Sequence, residues 1–172
     1  MIDEPAILRA IRQGYALDFH GDHGVSHWAR VFTNGLRLAE TTHTDPDVLV
    51  LFALFHDSRR WNEYDDPGHG PRGAELARSL RGELFELDDG RFELLYEACR
   101  VHTQDVWLGD TTLLTCLAAD RLDLSRFGIT FDPDRVPLVI APDVVEWAEA
   151  RAVKKCEPSE VFQRWNVEPR SS

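Results

Sequence analysis

Four stretches of the sequence place a histidine or an aspartate directly beside hydrophobic residues. In chain order, these ligand-type residues are His27, the doublet His56-Asp57, His102 and Asp120. Imidazole and carboxylate groups are costly to bury unless a partner satisfies them, and both are common ligands of divalent metals. Three or four such ligands, with the remaining positions open to water, are typical of a catalytic metal site. The joint pattern therefore indicates a buried metal site.

Each residue also has a plainer interpretation when it is considered alone. A histidine such as His27 on an apolar helix is often a hydrogen-bonded core residue. His102 is placed as a cation at a helix end would be, and Asp120 stands beside Arg121 and would form an ion pair there. The joint occurrence, in the order His, His-Asp, Asp, favours the metal site over these separate explanations.

The most apolar segment of the chain leads directly into the His-Asp doublet. Val48 to Phe55 are eight apolar residues in a row, and they precede His56 and Asp57. Asp45 is a typical helix N-cap, and Pro46 suits the first helical position, so a helix is expected over 46–60. A helix that is apolar all round belongs in the middle of a bundle. The doublet is therefore expected at the inner end of a buried helix.

Helical periodicity continues through the rest of the chain and predicts an all-α fold. The other expected helices begin at Asp3-Glu4-Pro5, near Ser26, at Pro71, at 91, at Asp110 or Thr111, at Pro142-Asp143 and at Pro158-Ser159. Two stretches are expected to be loops. The first, 82–90, is bounded by glycines and rich in acidic residues, and the second, 128–142, contains Gly128, Pro133, Pro137 and Pro142. The domain prediction is a single domain over 1–172, with a core of about 20–130 and a loop-rich C-terminal extension, 131–172, packed on it.

The composition restricts the classes of function. The chain has 172 residues, 43% of them hydrophobic, which suits one globular domain. Its longest apolar run is too short to cross a bilayer and no signal peptide is recognised, so a cytoplasmic protein is expected. The net charge of −11 argues against a nucleic-acid polymer or an anionic membrane as partner. A homodimer is compatible with this composition, but no residue pattern indicates one.

Three segments together resemble the HD-domain superfamily of metal-dependent phosphohydrolases. They are SHWARV at 26–31, LFALFHDSRR at 51–60 and CLAADRLDL at 116–124. The superfamily is named for its His-Asp doublet, which follows one histidine and precedes a distant aspartate. The resemblance covers roughly residues 20–130 and implies an HD-domain-like helical bundle, in agreement with the helical pattern.

The resemblance also implies a set of metal ligands. Carried over to this chain, His27, His56, Asp57 and Asp120 would hold one divalent ion. Some HD-domain proteins bind a second ion through two further histidines, and His69 and His102 occupy the corresponding interval here. Such mixed ligands suit Mn, Fe, Zn, Co, Ni or Mg, so the identity of the metal stays open.

The implied activity is metal-assisted hydrolysis of a nucleotide or another small phosphorylated metabolite. The predicted catalytic residues are Asp57, Glu63, Asp65, Arg59 and Arg60. Asp57 would hold the metal, Glu63 or Asp65 would transfer a proton, and the arginines would neutralise the phosphate charge. Trp28, Trp61, Tyr64 and Trp107 are candidates for stacking on a base, and His20 and His23 for the mouth of the site. Two alternatives remain: an HD-fold diiron oxygenase that uses all six ligands, and a non-catalytic binding module stabilised by its metal.

Overall fold

The computed structural model describes residues 1–136 and 138–170, and this part of the chain is helical. Its α-helices are α1 (Glu4–Gln13), α2 (Val25–Ala39), α3 (Pro46–Phe55), α4 (His69–Leu80), α5 (Asp89–Val101), α6 (Thr111–Arg121), α7 (Pro142–Val153) and α8 (Ser159–Trp165). Two short 3-10 helices span Leu124–Phe127 and Pro133–Arg135. Within the described ranges, β structure is limited to two isolated bridges at Phe85. The all-α prediction is confirmed.

Helix α3 is the centre of the bundle. Asp45 caps it, accepting hydrogen bonds from the backbone N–H groups of Asp47 and Val48, and Pro46 occupies the first helical position, as the sequence predicts. Every residue from Val48 to Phe55 is buried. Helices α1, α2, α4, α5 and α6 all pack on α3. Because α3 is surrounded on all sides, the doublet that follows it emerges inside the bundle.

Close packing sets the positions of α2 and α6 around this central helix. A side chain at Gly35 of α2 would overlap Leu49 of α3, so the glycine allows the two helices to approach closely. Asn34 is buried and donates from Nδ2 to the carbonyl of Ala119 at 3.1 Å, which joins α2 to α6. These contacts hold His27 and Asp120 on helices that face the end of α3.

Helix α4 begins two residues earlier than Pro71, at His69, so the predicted start is wrong. The backbone N–H of His69 bonds to the carbonyl of Asp66, and this turn leads directly into the helix. Gly73 lies against the carbonyl of Phe55, where a Cβ atom would overlap it. The earlier start and the close approach bring His69 beside the end of α3.

The C-terminal segment packs back on the bundle. Trp165 of α8 is almost fully buried and stacks on Phe32 of α2, with ring centroids 6.0 Å apart. The loop predicted over 128–142 contains the 3-10 turn Pro133–Arg135. Pro137 and residues 171–172 lie outside the described residues. Over the described ranges, no helix combines the length and apolarity that a membrane span requires.

Candidate metal centre

Six predicted ligands come together where the helices meet beyond the end of α3. His27 comes from α2, His56 and Asp57 follow α3, His69 begins α4, His102 follows α5, and Asp120 is in the last turn of α6. All four histidines and Asp57 are at most 3% exposed. Two overlapping groups in this cluster could each hold a metal ion, and Asp57 belongs to both.

The first group surrounds the Nε2 atom of His27. This atom lies 3.1 Å from His56 Nε2, 3.5 Å from Asp57 Oδ2 and 3.3 Å from Asp120 Oδ1. His56 Nε2 lies 3.8 Å from Asp57 Oδ2 and 3.7 Å from Asp120 Oδ1. Two imidazoles and two carboxylates thus converge on one point.

The second group uses the other oxygen of Asp57. His69 Nε2 lies 3.1 Å and His102 Nε2 lies 3.6 Å from Asp57 Oδ1. The two Nε2 atoms are 2.8 Å apart. Asp57 therefore presents Oδ2 to the first group and Oδ1 to the second, as a carboxylate that bridges two ions would.

In three of the four histidines, His56, His69 and His102, the hydrogen bond made by Nδ1 turns the Nε2 atom toward the two ligand groups. Nδ1 of His56 donates to the carbonyls of Phe52 and Ala53 at 3.1 Å each. Nδ1 of His69 donates to the carbonyl of Asp66 at 2.5 Å, and Nδ1 of His102 to that of Cys99 at 2.7 Å. A carbonyl only accepts, so these Nδ1 atoms carry the proton of the neutral ring. Each facing Nε2 then offers a lone pair.

The spacing of these atoms fits a shared ion. Two ligand atoms about 2.1 Å from one ion lie about 3.0 to 3.4 Å apart in octahedral or tetrahedral geometry. The Nε2 atoms of His69 and His102 lie 2.8 Å apart, close enough for one cation between them to bind both. The donor set therefore suits a divalent metal in both groups, and a buried His/Asp cluster able to bind metal is present.

Two histidines of the cluster, His27 and His56, have pKa values shifted in opposite directions. Burial lowers the pKa of His56 to about 3, so this ring is neutral at pH 7. Burial and Arg126 also act to lower the pKa of His27, but hydrogen bonds to Asp120, Asp123 and Asp57 outweigh them and raise it to about 9. The pKa of Asp57 lies well below its usual value despite burial, because four histidines surround the carboxylate.

Asp123 is a buried partner of the cluster and is not one of the six predicted ligands. Its Oδ2 accepts from Nδ1 of His27 at 2.7 Å, and Arg30 binds both of its oxygens, at 2.7 and 3.0 Å. A carboxylate behind a metal-binding histidine orients the ring and increases its basicity. The available signal was the spacing of Asp123, three residues after Asp120, which places both on one side of a helical turn.

A cavity of about 430 Å³ opens over the cluster. Asp57, His102 and Asp120 lie in its wall together with the arginines Arg60, Arg121, Arg126 and Arg135. Phe127, Ile129 and Phe131, from the segment after α6, form an apolar side. A larger cavity of about 610 Å³ lies between α1 and the C-terminal segment, and none of the six ligands lines it. The cavity over the cluster is therefore the candidate functional site.

The predicted catalytic residues beside the doublet lie in different places. Arg60 lines the cavity, and its Nη1 lies 3.5 Å from Asp57 Oδ1 and 3.1 and 3.3 Å from the two ring nitrogens of His69. Arg59 instead points toward α1 and donates to the carbonyl of Ile11 at 3.0 Å. Glu63 is bonded to His23, and Asp65 is exposed outside the cavity wall. The structure thus brings Arg60 to the cluster and places Arg59 and Asp65 away from it.

Of the aromatic residues and loop histidines predicted to border the site, only His23 lines the cavity. Trp28 is fully buried, whereas Trp61, Tyr64 and Trp107 are exposed, and none of these four aromatic residues lines the cavity. The aromatic wall comes from Phe127 and Phe131 instead. Of the two loop histidines, His23 lines this cavity and His20 lines the one beside α1.

Comparison of the chain with protein-family models, with curated proteins and with solved structures finds no match. The resemblance to the HD-domain superfamily therefore rests on the residues of this chain and stays a prediction.

Proposed function

We propose that this chain is a metal-dependent phosphohydrolase that acts on a nucleotide or another small phosphorylated metabolite. The observation that carries the proposal is the convergence of four imidazole Nε2 atoms on Asp57 and Asp120 beneath a cavity rich in arginine. A divalent ion bound to such ligands lowers the pKa of a bound water and polarises a phosphoryl oxygen. This combination of ligands and cationic wall suits hydrolysis of a phosphate ester or anhydride.

The arginines of the cavity wall would bind the negative charge of the substrate. Arg60 and Arg126 are at most 9% exposed, so their charges act in a poorly solvated environment. Arg126 is held by the carbonyls of Asp22 and Asp123, each at 3.0 Å. Because both guanidinium groups are held before the substrate enters, little reorganisation is needed when charge develops on the phosphoryl group. The apolar side formed by Phe127 and Phe131 suits the organic part of the ester.

The first test is phosphate release from a panel of nucleotides and phosphate esters, with Mn, Mg, Co, Ni or Fe. We expect release from at least one of them, and we expect none from an Asp57→Asn variant. Elemental analysis of the protein verifies that metal is bound. The absence of phosphate release from every substrate, with metal present, would overturn the proposal.

The two overlapping ligand groups favour one second candidate, an HD-fold diiron oxygenase. Such an enzyme would need His69 and His102 as well as the first four ligands, and the geometry of Asp57 is compatible with a bridge. Two irons per chain together with substrate-dependent oxygen consumption would support this candidate. One bound ion, or two ions without oxygen consumption, would leave hydrolysis as the better explanation.

A folded, metal-free His56→Ala variant that keeps full function would favour a binding module.

A further inference from the structure

His23 is a buried histidine of the cavity wall that the proposed ligand set does not use. Its ring approaches that of the ligand His27 edge-on, with centroids 6.4 Å apart. Nδ1 of His23 donates to the carboxylate of Glu63, so the proton of the neutral ring is on this nitrogen. Among the described residues, no hydrogen-bond partner meets its Nε2. His23 lines the cavity and Glu63 does not, so Nε2 is the ring nitrogen left to accept a proton from a group in the cavity.

The loop that carries His23 is held rigidly. Tyr15 donates from its hydroxyl to the carbonyl of His23 at 2.7 Å. The backbone N–H of Val25 bonds to the carbonyl of Phe19 at 2.8 Å, which closes the loop around Gly24. The Phe127 ring packs on the imidazole, with centroids 5.3 Å apart. A proton-transfer group must be placed within a fraction of an ångström, and such a fixed support is what it requires.

We propose that His23 is the proton acceptor of the proposed hydrolysis and that Glu63 positions it. The inference rests on the proposed function and assigns the base of that same site. As the oxygen of the attacking water bonds to phosphorus, Nε2 takes a proton from the water. The bond from phosphorus to the leaving oxygen breaks, and the leaving oxygen keeps the electron pair and takes a proton from solvent. The imidazolium is stabilised by Glu63 and returns its proton to solvent.

The assignment revises the role predicted for Glu63. The carboxylate is already engaged by Nδ1 of His23, and Glu63 does not itself line the cavity. In catalytic triads, an acid hydrogen-bonds one nitrogen of a histidine and so orients the other nitrogen as a base. Glu63, His23 and the reacting water would be arranged in the same way. Glu63 is therefore a positioning residue in this proposal, and His23 is the group that would touch the reacting water.

The test uses His23→Ala in the metal-loaded protein, with p-nitrophenyl phosphate as the probe. Loss of a general base costs about 10²- to 10⁴-fold in rate, and we expect a loss in that range with metal content unchanged. Added imidazole should restore the rate in proportion to its concentration. Pyrazole, a ring of the same size and a much weaker base, should not. His20→Ala is the matched control, because His20 belongs to the same loop and lines the other cavity.

A second measurement does not depend on turnover. We expect ¹⁵N NMR of the wild-type protein to find His23 as the Nδ1–H tautomer, and Glu63→Gln to weaken this preference. An Nε2–H tautomer would overturn the proposal, as would loss of bound metal in His23→Ala or a failure of imidazole to rescue it. A loss confined to esters with poor leaving groups would make His23 a proton donor instead. If the wild-type protein releases no phosphate, the proposed function fails first, and this inference falls with it.

Discussion

The two ligand groups share Asp57 but differ in the charges that surround them. The first group has a second carboxylate, Asp120, whereas the charge of a third, Asp123 behind His27, is paired with Arg30. The second group has Asp57 alone, and its imidazoles are backed by the neutral carbonyls of Asp66 and Cys99. A positive charge, Arg60, also lies against His69. The first group should therefore bind a divalent cation more tightly than the second.

Two groups that share a carboxylate therefore need not be equal metal sites. Each group contributes two imidazoles and one oxygen of Asp57, and the first group adds Asp120. The surrounding charges decide the electrostatic part of the affinity, and these charges act strongly where water is excluded. Stepwise binding is the expected result, with the first group filling at lower metal concentration. The following changes separate the two groups.

The largest expected effect comes from Asp57→Asn, because this residue serves both groups. The substitution keeps the shape of the side chain but removes the shared charge. We expect the metal affinity of each group to fall by more than about 100-fold. Loss of a residue that only supports a metal ligand lowers affinity by about 10- to 100-fold, and loss of the ligand itself should cost more. Metal titration followed by elemental analysis measures the loss. Asp65→Asn is the control, because this exposed aspartate of the next loop should leave both affinities unchanged.

Metal binding to the first group should release a proton from His27 and none from His56. In the metal-free protein the pKa of His27 is raised to about 9, so at pH 7 an incoming ion must displace a proton from Nε2. The pKa of His56 is lowered to about 3, so this ring has no proton to lose. Affinity of the first group should rise about tenfold per pH unit from pH 7 and level off near pH 9.

Calorimetry in buffers of different ionisation enthalpy measures this proton release directly. We expect close to one proton to leave His27 when the first ion binds at pH 7, about half a proton near pH 9, and about a tenth of a proton at about pH 10. Release that stays the same across this range would contradict the assignment of the raised pKa to His27.

The outline of this cluster could be predicted from the sequence because its ligands interrupt apolar helices. Asp45, Pro46 and the run Val48–Phe55 define the central helix, and the doublet at its end is conspicuous for its cost of burial. The cavity wall could not be predicted in this way. Phe127 ends a 3-10 helix of four residues and Phe131 lies in the loop after it, and such short segments carry no periodic pattern that shows which side chains face inward.

The direction of neighbouring side chains also had to come from the structure. Arg59 and Arg60 are adjacent in the sequence and alike in chemistry, yet one points toward α1 and the other reaches Asp57. Helix α3 ends at Phe55, so the turn over residues 56–59 determines where each arginine points. The pairing of His23 with Glu63 joins two loops 40 residues apart, and no local pattern indicates it.

Asp123→Asn should weaken the first group selectively. The amide is a poorer acceptor for Nδ1 of His27, so the affinity of the first group should fall about 10- to 100-fold, with the second unchanged. The variant also leaves Arg30 without its buried counter-charge, and breaking such a pair costs about 3–5 kcal/mol of folding free energy. Glu4→Gln controls for stability, because it removes the buried partner of Arg164 far from the cluster. Equal weakening of both groups would contradict the proposed selectivity.

Arg60→Met should have the smallest effect, and it should strengthen metal binding where the other variants weaken it. Removing the positive charge beside His69 and Asp57 should raise the affinity of the second group by about tenfold, a small part of the Coulomb energy of such close charges. Arg59→Met is the matched control, because that arginine faces α1 and leaves both groups alone. Phosphate turnover should fall in the same variant, since Arg60 also lines the cavity. A variant that binds a second ion better but hydrolyses more slowly would separate the two roles of this guanidinium, because improved metal binding alone predicts no loss of rate. If the second affinity stays unchanged, the charge of Arg60 does not set the difference between the groups, and the second carboxylate Asp120 would account for it.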